Sequence, residues 1–553
     1  LHKSPDKGAS WEIISPDLTT NNPDQQKQDE TGGLTLDITG AETYNTIITI
    51  APSALQKGVI WTGTDDGNVQ LTMDGGKTWT NFRGKLPGLP VGAWIPQIQA
   101  SRHIPGEAFV VANDYRRGDF RPFIYRTTDF GATWTRMLDE NKVRGYALCV
   151  LPDPTEPNLI FAGTEHGLWV SLDNGTSFQQ WKNGYPSAST YDLAIQEREA
   201  DLAIATFGRS LWILDDIRPL RKLAATKGLF TKNLTVFPSG DAYQVNYRPS
   251  TGYEWSLAGI YDAENRKPGA AISFYASRKA AAKKDSTQKT TETAGKPGKK
   301  TNAKDSVLVK IYNDNNEVIR NLKWDIDSGF NRLYWGMEEK GYRQPGSPKP
   351  KAGDPENGGM MVLPGKYKVV LNMGGDADST LVTVHADPRL SSDSREIKIA
   401  QRQMIEKLRK SADKLVEVLD RLSDAGEVLG KINTQLQNIE GKEADSLRKT
   451  TQALQDTVKQ LREFINGKPS DKQGIARSMA PTVMTRLQEA SIYLYSKNSA
   501  PGGQELQLVA NAETVIGEAV TKANAFFENA WKRYRKQVEE THINLFKEYR
   551  PIE

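Results

Sequence analysis

The sequence predicts a multidomain chain that is mainly β and then α. The expected parts are a partial β-propeller, an immunoglobulin-like β-sandwich and a C-terminal antiparallel helical hairpin or bundle. Three observations predict this. One octad recurs four times before residue 180. Strand-like runs with turn signals flank a polar insertion in the middle. From about residue 392 the apolar spacing lengthens to 3–4.

The octad reads Ser/Thr-x-Asp-x-Gly-x-Ser/Thr-aromatic. Its copies span Ser4–Trp11, Thr72–Trp79, Thr127–Trp134 and Ser171–Phe178. The residues that carry it are Asp6, Gly8 and Trp11; Asp74, Gly76 and Trp79; Asp129, Gly131 and Trp134; and Asp173, Gly175 and Phe178. The Asp can accept backbone N–H groups as in an Asx turn. The Gly two residues later supplies a positive φ. The aromatic is expected to drop into the core between units. These twelve residues therefore read as structural. Runs such as Gly58–Gly67 and Leu159–Val170 precede a box as β-rich segments closed by a Gly turn. A unit of about 45 residues with several short strands is a propeller blade. Residues 1–216 are thus read as C-terminal blades. Further blades are expected upstream of Ser4, and 192–216, which no octad follows, are expected to form a closing blade.

Residues 217–269 read as a tether. Residues 270–388 read as the sandwich, with strands Ala270–Ala276 and Ser306–Tyr312 on either side of a basic low-complexity segment, 278–304. That segment holds nine Lys/Arg against Asp285 and Glu292. Its +7 exceeds the chain's net +4 and leaves −3 for the rest. The basic balance therefore belongs to one polar insertion, and no nucleic-acid-binding face is expected. Pro364-Gly365 turns the chain into Tyr367, Val369 and Leu371, which share one strand face. Residues 389–553 read as helical. Leu415, Val418, Leu422, Ala425, Leu429, Ile432, Leu436 and Ile439 form a heptad seam, with Ser392–Ser394 as N-cap candidates. Further helices are expected over 447–465, 480–496 and 504–546.

The one cysteine, Cys149, lies in an apolar run and reads as a buried small hydrophobe. Five scattered histidines have no ligand spacing. No metal and no cofactor are expected. There is no phosphate loop, nucleotide fingerprint or nucleophile elbow.

The octads resemble the bacterial neuraminidase, or Asp-box, repeats. Together with Arg121–Gly131 and the ending Gly208–Asp216, they are similar to large sortilin-like bacterial envelope proteins that are often loosely labelled glycosyl hydrolases. That closing motif carries a His in the family where this chain has Phe207. The middle is similar to the immunoglobulin-like domain of the flagellar hook-capping type. The resemblance implies an extracytoplasmic protein, in the periplasm or at the cell surface of a Gram-negative bacterium. It implies protein partners, among them an outer-membrane or secretion complex and the upstream half of the same propeller, with membrane association at most peripheral. Sialidases share the boxes, but Arg102-His103-Ile104-Pro105 is only a distant echo of their arginine motif. Xyloglucan-cleaving enzymes with two propellers also carry the boxes and use paired carboxylates. Candidate carboxylates here are Asp65, Asp66, Asp114, Asp119 and Glu165, with Asp65-Asp66 beside Gly67 also fitting turn chemistry. The expected function is a non-enzymatic scaffold whose propeller and helical arm bind proteins. The alternative is a glycoside hydrolase with its carboxylates partly in the upstream blades.

Overall fold

The computed structural model describes residues 1–27, 44–245, 266–277, 306–351, 353–390, 395–437, 439–468, 481–497 and 499–541. The basic insertion, Ser392–Ser394 and the tether between 246 and 265 lie outside the described residues. The chain divides into two compact units. The first is Leu1–Gly240 with Ile272–Glu292 and Ser328–Asn331. The second is Asp241–Ala271, Thr293–Asp327 and Arg332–Glu553.

The first unit is a run of propeller blades, each an antiparallel meander. A two-stranded sheet, β1 (His2–Lys3) and β2 (Glu12–Ile13), comes first. Three four-stranded sheets follow. Blade 1 is β3 (Ile47–Pro52), β4 (Ile60–Thr64), β5 (Val69–Thr72) and β6 (Thr80–Asn81). Blade 2 is β7 (Trp94–Ala100), β8 (Ala108–Asp114), β9 (Asp119–Thr127) and β10 (Thr135–Leu138). Blade 3 is β11 (Ala147–Pro152), β12 (Ile160–Thr164), β13 (Gly167–Ser171) and β14 (Gln179–Gln180). Blade 4 has three strands, β15 (Thr190–Gln196), β16 (Asp201–Thr206) and β17 (Leu211–Leu214). The first strands of successive blades, β3, β7, β11 and β15, lie side by side.

All four octads make the same hydrogen bonds, at 2.6–3.0 Å. The first hydroxyl donates to the Asp and accepts the Gly N–H. The Asp accepts both the N–H and the hydroxyl of the later Ser/Thr. Those bonds hold Asp6, Asp74 and Asp129 below the usual carboxylate range.

The octad aromatics pack backwards onto the preceding segment. Trp134 of blade 2 meets Trp61 and Phe82 of blade 1, at 5.9 and 5.8 Å between ring centroids. Phe178 of blade 3 packs on the core that Phe109, Ile124 and Met137 of blade 2 share with blade 3. Trp79 of blade 1 donates its indole N–H to the Ile14 carbonyl. Trp11 departs from the expectation, since it is 64% exposed. The described residues place no earlier blade for it to pack against.

Part of the expected tether lies among the described residues. Residues 217–245 carry α1 (Arg218–Ala225), β18 (Leu234–Val236) and β19 (Ala242–Tyr243). Ile217 is fully buried with the blade 4 core, and Arg221 bonds the buried Asp153. Apolar residues within a polar stretch thus anchor it.

β18 lies in a three-stranded sheet with β20 (Ala270–Ala276) and β23 (Gly329–Trp335). A five-stranded sheet runs in the order β19, β27 (Asp376–His385), β26 (Gly365–Met373), β21 (Ser306–Tyr312), β22 (Val318–Asp325). Trp335 is fully buried and stands edge-on to Tyr367 at 5.3 Å. A short hairpin, β24 (Glu338–Lys340) with β25 (Gly358–Met361), lies between β23 and β26 in the chain. Just beyond β24, Arg343 forms a bidentate pair with Asp420, both bonds at 2.7 Å.

The helices are α2 (Arg395–Leu436), α3 (Lys442–Asn466), α4 (Val483–Ser496), α5 (Gly503–Ala525) and α6 (Lys532–Glu540). They share one core, and six of the eight seam residues are buried, with Ile432 and Ile439 partly so. The sequence predicts one helix over 504–546. Instead a π-helical segment, Phe526–Trp531, joins α5 to α6. The wider turn gathers Phe526, Phe527 and Trp531 into one cluster with centroids 5.0–6.1 Å apart. No helix among the described residues is long and apolar enough to cross a membrane.

Candidate functional site

Each meander places two kinds of turn at opposite ends of the blade. The octads join the third and fourth strands at one end. The turns joining the second and third strands lie at the other, beside the start of the innermost strand. These latter turns carry Asp65-Asp66 in blade 1, Tyr115-Arg116-Arg117 in blade 2, Glu165-His166 in blade 3 and Phe207-Gly208-Arg209 in blade 4. All five candidate carboxylates therefore come to one face, opposite the octads. The Arg102–Pro105 segment lies at the octad end, where His103 bonds the Asp153 carbonyl and Arg102 pairs with Glu197.

On this face every inner strand has a register irregularity near its start: between Ile47 and Thr49, Trp94 and Gln97, Ala147 and Cys149, and Thr190 and Asp192. A bulge re-aims the unpaired side chain. The residues so released in blades 2, 3 and 4 include Pro96, Leu148 and Tyr191. They line a recess of about 490 Å³ together with Trp94, Gln97, Asn113, Tyr115, Arg116 and Asp192. Aromatic rings rim it. Tyr115 stacks on Tyr146 at 4.3 Å, Phe120 stands against Tyr146 at 6.2 Å, and Tyr191 lies 5.9 Å from Phe207. Phe120, Tyr191 and Phe207 are more than 45% exposed, although each is a large apolar ring. Sequence reasoning missed this cluster. Its one signal was the turn between Asp114 and Asp119, rich in Tyr and Arg.

The five carboxylates are not equivalent. Asp114 pairs with Arg117 at 2.6 Å, and Asp119 chelates Arg121. Asp66 accepts from Thr64, from both the N–H and hydroxyl of Thr20, and from Asn45. Burial alone would raise it, but these bonds bring it below the usual range. Glu165 is partly open beside His166. Asp65 differs from all of them. It is 3% exposed, it accepts the Thr46 N–H at 2.7 Å, and Asp66 is its neighbour. Burial, reinforced by the Asp66 charge, pushes it up to about 6.

A pH prediction follows. Because the folded value is raised, the native state binds the extra proton between about pH 4 and pH 6. Stability from this group is greatest below that window and falls as pH rises through it. Asp65→Asn keeps an acceptor for Thr46 and removes the charge. It is expected to gain about 1–2 kcal/mol over wild type at pH 8, after allowance for solvent screening, and nothing at pH 4. Urea melts of both proteins at pH 4, 5, 6 and 8 measure this. A difference that stays constant with pH would contradict the burial of an ionisable Asp65.

No family profile matches the chain. The chain is 29% identical over 126 residues to an oligoxyloglucan-reducing end-specific xyloglucanase of Emericella nidulans, a match covering 23% of this chain. It spans about 15% of that relative's length. Among solved structures, a GH74 xyloglucanase from Xanthomonas campestris is 14% identical, with 31% of this chain and 29% of that one covered and a TM-score of 0.25. YCF48 from Cyanidioschyzon merolae is 20% identical over 30% of this chain and 52% of its own, with a TM-score of 0.24. An ancestral GH74 enzyme is 10% identical over 61% of this chain and 36% of its own, with a TM-score of 0.28. The blades are defined by the chain's own sheet topology and repeated octads.

Proposed function

We propose that this chain belongs to an extracytoplasmic glycoside hydrolase acting on a polysaccharide, and that the face opposite the octads receives the glycan. One observation carries the reading: exposed aromatic rings and a carboxyl raised to about 6 share that face. Rings stack on the apolar faces of sugars, and a carboxyl raised toward 6 suits a general acid that protonates a glycosidic oxygen. Asp65 is assigned that role, with Glu165 and Asp192 as the open carboxylates of the face. The likeness to an oligoxyloglucan-reducing end-specific xyloglucanase supports the reading.

Incubation of the full chain with xyloglucan, mixed-linkage glucan, galactan and pectate tests it by reducing-end release. Activity on at least one polymer is expected, falling about 100-fold or more in Asp65→Asn. Inertness on every polymer would remove hydrolysis from the proposal. A second reading, a non-catalytic binding or scaffold protein of the bacterial envelope with octads of the Asp-box type, has one observation of its own. Asp66, Asp114 and Asp119 are already consumed by internal bonds. Retained glycan binding without bond cleavage would favour it.

A further inference from the structure

We infer that the recess on this face recognises an acidic sugar, a hexuronate residue of the polysaccharide, through Arg116 stacked on Trp94. The inference rests on the glycan reading above and names its substrate class.

Arg116 is unusual among the arginines of blade 2. Arg117 is paired with Asp114, Arg121 with Asp119, Arg126 with Glu107 and Arg136 with Glu140. Arg116 has no carboxylate within ion-pairing distance among the described residues. Its guanidinium instead lies 3.9 Å from the Trp94 ring centroid and 4.6 Å from that of Tyr115. These ring contacts hold the group at the recess without an ion-pair partner. Its fork of N–H donors matches a carboxylate.

The other polar groups of the recess suit a sugar better than a simple anion. Asn113 is 2% exposed and donates its amide to the Ala147 carbonyl, while its Oδ1 has no partner. A buried acceptor without a donor is costly, and a ligand hydroxyl would satisfy it. Asp192 lines the same recess and uses one oxygen on the Leu193 N–H. Its carboxylate would accept a second hydroxyl while opposing a bare anion. Trp94, Tyr115 and Tyr191 present ring surface around these groups. At about 490 Å³ the recess lies within the size range of small-molecule sites.

The test uses the full chain and calorimetry with two probes of equal length. One is a galacturonate oligomer, and the other is the same oligomer with its carboxyls reduced to alcohols. The acidic oligomer is expected to bind about tenfold tighter or better, the scale of a charge-assisted hydrogen bond. Arg116→Ala is expected to erase that preference, and Arg116→Lys to restore part of it, because an ammonium keeps the charge without the fork. An unchanged melting temperature shows the variants to be folded. The comparison of the two probes on the unaltered chain decides the matter even if a variant does not fold. Equal binding of the two oligomers overturns the acidic-sugar assignment and leaves the glycan reading standing. Binding of neither, nor of xyloglucan, overturns both. Binding of a peptide with a free C-terminal carboxylate in place of the oligomers overturns the sugar and assigns Arg116 to a protein ligand.

Discussion

Trp61→Ala is expected to destabilise the first unit by about 3–5 kcal/mol, the range for deleting a buried large aromatic. Trp61 lies on β4 and is fully buried. Its ring meets Phe82 of its own blade at 5.8 Å and Trp134 of the next blade's octad at 5.9 Å, the latter edge-on at 78°. Removing it opens a cavity against two rings that cannot both collapse into it. It also removes one of the contacts that join blade 1 to blade 2. For a unit of this size the melting temperature is expected to fall by about 8–15 °C in calorimetry. Trp134→Phe is the control. The Trp134 indole N–H is buried without a partner, so phenylalanine loses area but also loses an unsatisfied donor. Its cost is expected near or below about 1.5 kcal/mol. A small effect of Trp61→Ala would mean that the two blades do not share a core.

Gly76→Ala is expected to cost about 2–4 kcal/mol, for two separable reasons. Gly76 has φ +105°, where an L side chain is strained. A Cβ there would also overlap the backbone carbonyl of Ile14, which cannot turn aside as a flexible side chain could. The neighbouring Gly75 isolates the first reason, since its φ is +77° and its Cβ would meet nothing within 4 Å. Gly75→Ala is therefore expected to cost about 1–2 kcal/mol. Guanidinium melts of the two variants read the difference directly. Equal costs would show that the octad glycine is required for backbone conformation alone. The same geometry recurs, because a Cβ at Gly131 would strike Phe82 and one at Gly175 would strike Met137. In each case the obstacle belongs to the segment before.

Local chemistry was legible in the sequence because it is written in neighbouring residues. The octad closes its hydrogen bonds within seven positions, so Asp6, Asp74, Asp129 and Asp173 declare their partners without any knowledge of the fold. The heptad seam declares its buried face for the same reason. Where aromatics crowd, that periodicity hides a choice, and the π-helical turn at Phe526–Trp531 shows it.

The site is of another kind. Asp65, Arg116, Glu165 and Tyr191 come from four blades and span more than a hundred positions, and no local pattern links them. Sequence alone determined the repeat, its turns, the carboxylates available and the helical register, since each depends on residues a few positions apart. The tertiary structure decided which of those groups meet. Only the lateral packing of four meanders brings their second-strand turns to one mouth. The fold buries Asp65 and sets Arg116 over Trp94, whereas the ion pairs of Asp114 and Asp119 close within three positions. Burial and pairing are properties of surroundings, and surroundings exist once the chain has folded.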